Sequence, residues 1–234
     1  MPTGLLFLLC MAVFFLVSLT IVFRVEKRMV WPYGDPEPQP PFSLPHGYAQ
    51  PWVSDAVLAG FKFLGWSRDL KGASYRIAYA MLVSADRSTF AVVGEGSILN
   101  MKMAGTWLHT PSADGRSFYT TDNQAGVQID LSRDWTNQLC TETSFQRLWA
   151  RHQAWIKEMR VIPSTLTDGR ELEEFRAIRR GHYQSMANAG LIQFTDPSAV
   201  KFQFTLLGAA RTASFGYFVG ISRRLTSGRF PRNA

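Results

Sequence analysis

The chain has 234 residues, of which 46% are hydrophobic, and it carries a formal net charge of +7 at pH 7. This apolar content is enough for the core of one compact domain of roughly 180 residues. Only two cysteines are present, Cys10 and Cys140, and Cys10 lies in an apolar segment. The composition therefore excludes a disulfide-stapled domain.

The excess of positive charge lies at two places. Residues 24–28 hold three bases and one acid, and residues 211–234 hold five arginines and no acid. The rest of the chain is neutral. Two basic segments flanking a neutral body suit contact with anionic lipid headgroups, where each juxtamembrane base adds about 1 kcal/mol. They suit a DNA-binding face poorly.

The first apolar segment has the length of a membrane span. Residues 4–23, GLLFLLCMAVFFLVSLTIVF, carry no charge, and about twenty apolar residues in a helix cross the hydrocarbon core of a bilayer. A cleaved signal peptide is the alternative, but it needs a positive start, a shorter apolar core and a small-residue cleavage site. Residues 1–28 are therefore predicted to form a single-pass transmembrane anchor with a basic flank.

The bases that follow this segment predict its orientation. Arg24, Lys27 and Arg28 come directly after it, and no base precedes it. Positive residues favour the cytoplasmic side of a membrane. We therefore expect the N-terminus outside and the main domain in the cytoplasm, at a bacterial inner membrane.

A proline-rich linker is predicted over residues 29–52. Seven of the twelve prolines lie between positions 32 and 51, and consecutive prolines favour extended polyproline II. The segment is interpreted as a semi-rigid spacer between membrane and domain. A docking ligand for an aromatic groove, based on PEPQPP, is the alternative.

Residues 53–205 are predicted to form a cytoplasmic α+β domain that begins with a short amphipathic helix. Ser54 and Asp55 are candidate caps of this helix. Its apolar residues follow helical spacing: Val57, Leu58, Phe61 and Leu64.

Residues 74–131 then predict an antiparallel meander of four to five strands. SYRIAYAMLVSA alternates from Tyr75 to Val83, and TFAVVGEGSI returns beside it. Asp114-Gly115 predicts a hairpin between MAGTWLHTPS and RSFYTTDN. VQIDL at 127–131 is the last expected strand. The absence of helical crossovers argues against a parallel nucleotide-binding sheet.

From Thr143 the apolar period becomes helical. TSFQRLWARHQAWIKEM predicts one helix, and RELEEFRAIRRGHYQSMANAG predicts a second helix that stops at Gly190. LIQFTDPSAVKFQFT then predicts a β-hairpin around Asp196-Pro197.

The order helix, GLIQF, turn, KFQFTLLGAAR over about residues 170–212 resembles the wing region of winged-helix domains. The resemblance implies DNA contacts from the helix before the wing, here from Arg176, Arg179 and Arg180. Gly181 and the acidic start of that helix depart from such a role.

Residues 206–234 are predicted to form an apolar amphipathic helix with a basic tail. A second membrane span is the alternative for residues 206–221, but Arg211 inside the membrane would cost at least about 2.5 kcal/mol. An interfacial helix avoids this cost. The predicted membrane or partner surface is made of these residues: Arg24, Lys27, Arg28, Arg211, Phe215, Phe218, Arg223, Arg224, Arg229 and Arg232.

No motif in the sequence predicts a catalytic residue, a cofactor or a metal site. The four histidines, at positions 46, 109, 152 and 182, fall in separate elements without a ligand-spaced partner. His109 and His152 are interpreted as single buried or half-buried residues. VVGEGS lacks the context of a phosphate-binding loop, so its glycines indicate a bulge or a close backbone approach.

The sequence thus favours a membrane-anchored accessory or scaffold protein. Its expected partners are membrane lipids and a membrane protein complex. The first alternative is a membrane-bound enzyme with a dispersed site, in which Glu95, His109 and Asp122 converge. Lipid is the candidate substrate of this alternative. The second alternative is nucleic-acid binding through the winged-helix-like segment.

Overall fold

The computed structural model shows an α+β protein with two compact units. Unit 1 comprises residues 1–30 and 183–234, and unit 2 comprises residues 31–182. The domain boundaries expected at residues 52 and 205 do not coincide with this division. The structure describes residues 12–18, 20–22, 24, 28–44, 47–70, 75–98, 101–122, 135–140, 142–196, 198 and 200–212.

Unit 2 is built around a six-stranded sheet whose order follows the chain. Its strands are β2 (Lys62–Arg68), β3 (Tyr75–Val83), β4 (Phe90–Ile98), β5 (Met101–Pro111), β6 (Ser117–Thr121) and β7 (Trp135–Leu139). Neighbours from β2 to β6 are antiparallel, whereas β7 runs parallel to β6. The antiparallel meander is confirmed for β3 to β6, and the expected strand at 127–131 lies outside the described residues.

The helix expected around Val57 to Leu64 is wrong in its extent. Helix α1 is Ala49–Leu58, and the residues after it form β2. Gly60 adopts a φ of 89°, and the amides of Gly60 and Phe61 bond back to the carbonyls of Val57 and Ala56. This Schellman ending needs a residue that tolerates positive φ. The helix therefore ends before Gly60, although the helical spacing of apolar residues continues to Leu64.

The proline-rich segment lies along β2 and does not act as a free spacer over residues 32–37. The Gly34 amide donates to the Arg68 carbonyl at 3.0 Å, and Glu37 and Trp66 exchange two backbone hydrogen bonds. The segment therefore covers the edge of the sheet, where unpaired strand groups would otherwise be open to other chains.

The two predicted helices after the meander are confirmed. Helix α2 is Phe145–Glu158, and helix α3 is Glu171–Asn188. Ser144 caps α2 by accepting a hydrogen bond from the Arg147 amide. Gly190, with a φ of 71°, ends α3 as Gly60 ends α1, because the amides of residues 190 and 191 bond back to the carbonyls of residues 187 and 186.

Each face of the six-stranded sheet is covered, and successive strand residues alternate between the faces. The first face packs on α1 and α2 through these buried residues: Ala78, Ala80, Leu82, Ala91, Val93, Leu108, Trp52, Ala56, Phe61, Phe145 and Leu148. The second face packs on α3 through Ile77, Tyr79, Met81, Phe90, Val92 and Phe175. Strand residues that point to either face of the sheet are therefore buried.

Unit 1 contains a three-stranded sheet made of β1 (Arg28–Met29), β8 (Ile192–Phe194) and β9 (Lys201–Phe204). The order of its strands is β1-β9-β8, and β8 and β9 confirm the predicted hairpin. Residues 12–18, 20–22, 24 and 206–212 are helical. Among the residues that the structure describes, no helix combines the length and hydropathy that crossing a bilayer requires. Residues 1–11, 19, 23 and 25–27 of the predicted anchor lie outside that part of the chain.

The close approach expected at the strand glycines is confirmed at Gly96. A Cβ atom added to Gly96 would lie 1.9 Å from the Arg76 carbonyl oxygen and 2.6 Å from the Ile77 Cα. Both are backbone atoms of the paired strand β3, so neither can move without disturbing the sheet. Gly181 in α3 is the opposite case, because nothing lies within 4 Å of its added Cβ.

We expect Gly96→Ala to lower the free energy of unfolding by about 3 kcal/mol or more, because β3 and β4 must separate to admit the methyl group. Gly181→Ala is the control and should raise it by about 0.5–1 kcal/mol, since alanine favours a helix. Urea unfolding of the full chain in mild detergent, followed by tryptophan fluorescence, measures both. Equal unfolding curves for Gly96→Ala and the parent chain would contradict the close approach.

Candidate functional site

A stack of rings lies on the second face of the sheet, contributed by β5, β6, β7 and α3. The ring centroids of His109 and Tyr119 are 4.3 Å apart, those of Tyr119 and Trp135 are 4.3 Å apart, and those of Trp135 and His182 are 3.6 Å apart. Arg179 lies beside the stack, donating from Nη1 to the Tyr119 hydroxyl at 3.3 Å. We call these five residues the ring stack.

Burial keeps the imidazoles of the ring stack neutral. It lowers the pKa of His109 well below its usual value, and the nearby Arg179 charge acts in the same direction. The same two causes lower the pKa of His182 to about 2. The ring stack therefore holds one cation, the Arg179 guanidinium, beside uncharged rings, and its Cζ atom lies 5.9 Å from the Trp135 ring centroid.

The cavity beside the ring stack is small. It has a volume of about 10 Å³ and is lined by Tyr33, Phe90, Val92, Trp107, His109, Tyr119, Phe175 and Arg179. Ligand sites for small organic molecules usually measure about 300–1,000 Å³. The cavity is thus far below the size of a substrate, although a neutral imidazole is chemically able to accept and donate a proton.

A hydrogen-bonded network surrounds His152 on the first face of the sheet. The Nε2 atom lies 2.8 Å from the Thr110 hydroxyl, which is 2.7 Å from the Thr89 hydroxyl. On the other side of the ring, Nδ1 lies 2.7 Å from the Thr120 hydroxyl, which donates to Gln138 at 3.3 Å. Because Thr120 donates onward, it accepts from Nδ1–H, so Nε2 accepts from Thr110. Both ring nitrogens are satisfied.

A third polar group lies at the start of α1. Glu95 is fully buried, and its Oε2 accepts a hydrogen bond from the Ala49 amide at 2.6 Å. Tyr48 donates to the Asp122 carboxylate, which also accepts from the Thr106 amide at 2.6 Å. Burial raises the pKa of Asp122, and burial together with the Asp122 charge raises that of Tyr48. A carboxylate at a helix N-terminus is also favoured by the helix dipole.

The structure brings together two of the three residues of the dispersed-site hypothesis. Glu95 and Asp122 bond to adjacent residues at the start of α1, Ala49 and Tyr48. His109 packs with Tyr119 and Phe175 on the other face of the sheet. The sheet separates His109 from the two carboxylates, so the three side chains do not form one site.

The arginines of the winged-helix resemblance do not form an exposed stripe. Arg179 is only 3% exposed. Arg176 donates to Asp35 at 2.9 Å and packs over the Trp31 ring at 5.2 Å. Arg180 alone of the three is exposed.

The predicted membrane surface is partly engaged within unit 1. Arg24 donates from Nη1 to the Phe204 carbonyl at 3.0 Å, and the Arg28 guanidinium lies 5.1 Å from the Phe204 ring centroid. Arg211 is exposed. The remaining predicted surface residues lie outside the described part of the chain: Lys27, Phe215, Phe218, Arg223, Arg224, Arg229 and Arg232.

The sequence contains a signal for the ring stack in the helix Glu171–Asn188. Phe175, Arg179, His182 and Met186 recur at helical spacing, and all four are buried. An arginine and a histidine at core positions of a helix indicate a buried polar cluster. Trp135 offers no comparable signal, since β7 was not predicted.

An open groove of about 350 Å³ lies at the start of α3 in unit 2. Its lining charges are of both signs, and Arg170 pairs with Glu173 at 3.0 Å. The groove therefore offers no excess of charge to a ligand. No group of three or more His, Cys, Asp or Glu side chains within the described residues is placed to hold a metal ion.

Comparison with known proteins gives no relative for this chain. No family model, no curated protein and no solved structure matches it.

The buried histidines predict a loss of stability in mild acid. His109, His152 and His182 all have pKa values lowered from 6.5, to about 3 for His152. The unfolded chain takes up these protons below pH 6.5 while the folded chain does not, so stability is full above that pH and falls below it. Each histidine contributes up to about 1.4 kcal/mol per pH unit. Urea unfolding between pH 7 and 5 should show this decrease in the free energy of unfolding. His152→Gln should reduce the slope by the contribution of one protonated side chain.

The two fully buried histidines should differ in what their removal does. Neither ring nitrogen of His109 has a hydrogen-bond partner in the described residues, so His109→Phe should change the free energy of unfolding by less than about 1 kcal/mol. His152→Phe removes one buried hydrogen bond from each of the Thr110 and Thr120 hydroxyls and should cost about 2–4 kcal/mol. Equal losses in the two variants, measured by urea unfolding, would contradict the hydrogen bonds assigned to His152.

Proposed function

We propose that this protein is a membrane-anchored accessory or scaffold protein. The N-terminal apolar helix anchors it in a bacterial inner membrane, with the N-terminus outside and the α+β domain in the cytoplasm. The domain docks on a membrane protein assembly or on the lipid surface.

The observation that carries this proposal is the exposed apolar surface of the N-terminal helical residues. Six large apolar side chains there are 49% to 68% exposed: Val13, Phe14, Phe15, Val17, Ile21 and Val22. In water such a surface is unfavourable by about 25 cal/mol per Å², and contiguous apolar patches mark membrane or protein contacts. Thr20 satisfies its hydroxyl on the Leu16 carbonyl at 2.7 Å, as side chains facing lipid must.

The polar groups of unit 2 support docking more than catalysis. The ring stack, His152 and Glu95 are buried in the core, whereas Tyr48 and Asp122 beside Glu95 are half-buried. Catalysis at His109 would require an opening to solvent, and the cavity beside this residue measures only about 10 Å³. The nucleic-acid alternative requires an exposed cationic stripe, and Arg179 is buried.

Charges placed in the apolar helix test the anchor. Phe14→Asp combined with Val17→Asp should move the full chain from the carbonate-resistant membrane fraction to the soluble fraction, since a carboxylate in the hydrocarbon core costs at least about 2.5 kcal/mol. Leu58→Asp is the control, because this side chain is 80% exposed in unit 2, and it should leave membrane retention unchanged. A parent chain found in the soluble fraction would refute the anchor.

Cysteine labelling tests the sidedness separately. Ile162 is 73% exposed in unit 2, so Ile162→Cys offers a reactive thiol there. A membrane-impermeant maleimide should label it only after the inner membrane is opened. The unsubstituted chain gives the background, in which Cys140 reacts slowly because it is buried and burial raises its pKa. Labelling in intact spheroplasts would place the domain outside and leave the anchor itself intact.

A further inference from the structure

The helical residues 206–212 present their large apolar side chains outward. Leu206 is 69% exposed and Leu207 is 52% exposed, and Arg211 on the same side is also exposed. The opposite side is buried and made of small residues, including Ala209 and Thr212. A helix in contact with water shows the reverse pattern, with its large apolar residues inside.

This orientation is fixed by packing within unit 1. The Thr205 hydroxyl accepts from the Gly208 amide at 3.1 Å and donates to the Gly190 carbonyl at 2.6 Å. A Cβ atom on Gly208 would lie 1.9 Å from the Leu191 carbonyl oxygen. The glycine therefore has to face the hairpin, and the two leucines have to face away from it.

The leucines lie close to Arg24, the last helical residue described before β1. The Arg24 Nη1 atom donates to the Phe204 carbonyl at 3.0 Å, and β1, which begins at Arg28, pairs with β9. Leu206 is two residues beyond Phe204, a span of about 7 Å at most along the chain. With Arg24 at the membrane boundary, as the proposed anchor requires, the leucines would lie close to that boundary.

We propose that Leu206 and Leu207, together with Arg211, form a second contact of this chain with the anionic bilayer surface. The leucines enter the interfacial region, and the Arg211 guanidinium bonds lipid phosphate. The charges of the segment favour an anionic surface, because residues 200–212 contain Lys201 and Arg211 and no acid. This inference rests on the proposed membrane anchor and names lipid as what the surface binds.

The test is a depth measurement on the full chain in vesicles. Leu206→Cys carries an environment-sensitive fluorophore, and the chain is reconstituted into phosphatidylcholine vesicles with or without phosphatidylglycerol. Leu58→Cys is the matched control, since Leu58 is also a highly exposed leucine but lies in unit 2. We expect spin-labelled lipids to quench the probe at 206 at least about two-fold more than the probe at 58. Arg211→Glu should reduce this quenching only when phosphatidylglycerol is present.

Each other outcome overturns the inference in a distinguishable way. A chain that floats with the vesicles but shows water-like emission from position 206 keeps the anchor and refutes the lipid contact. Emission shifted to the blue without quenching by lipid assigns the leucines to a protein contact. A chain that does not float with the vesicles refutes the anchor and this inference together.

Discussion

Coverage of both faces of the six-stranded sheet is the constraint on which the rest of unit 2 depends. Helices α1 and α2 pack one face and α3 packs the other. A polar side chain buried between the sheet and a helix costs about 1–3 kcal/mol when it is left unpaired. His152 of α2 avoids this cost through Thr110 and Thr120, whereas neither ring nitrogen of His109 in β5 has a partner in the described residues. Glu95 accepts a hydrogen bond from the first amide of α1, and this bond joins that helix to β4.

The same coverage decides what the ring stack can do. Its rings come from four separate elements, so the stack holds β5, β6, β7 and α3 together around the Arg179 guanidinium. Desolvation keeps His109 and His182 uncharged, so the stack holds a single cation near neutral pH. Groups of this kind resemble catalytic residues in composition. Here they support the core, because the adjoining cavity is far below the size of a substrate.

The sequence predicted this architecture where one apolar period ran without competition. Alternation identified β3, the turns that follow it identified β4 to β6, and helical spacing identified α2 and α3. The prediction was wrong between Val57 and Leu64. There a helix and a strand each contribute apolar residues to what looks like one helical period, and Gly60 marks the boundary between them. The site was harder to predict. The winged-helix resemblance implies a DNA contact from Arg179, whereas its helical spacing from Phe175 indicates the core, where the structure places it.

Unit 1 changes how the basic ends of the sequence are interpreted. Composition treated Arg24, Arg28 and Arg211 alike, as bases available to lipid headgroups. In the structure the first two contact Phe204 and fasten β1 to the hairpin. These contacts hold the chain around Phe204 close to Arg24, and the exposed residues Leu206 and Leu207 follow directly. If the proposed anchor holds, this proximity, more than the number of bases, decides which part of unit 1 would meet a membrane.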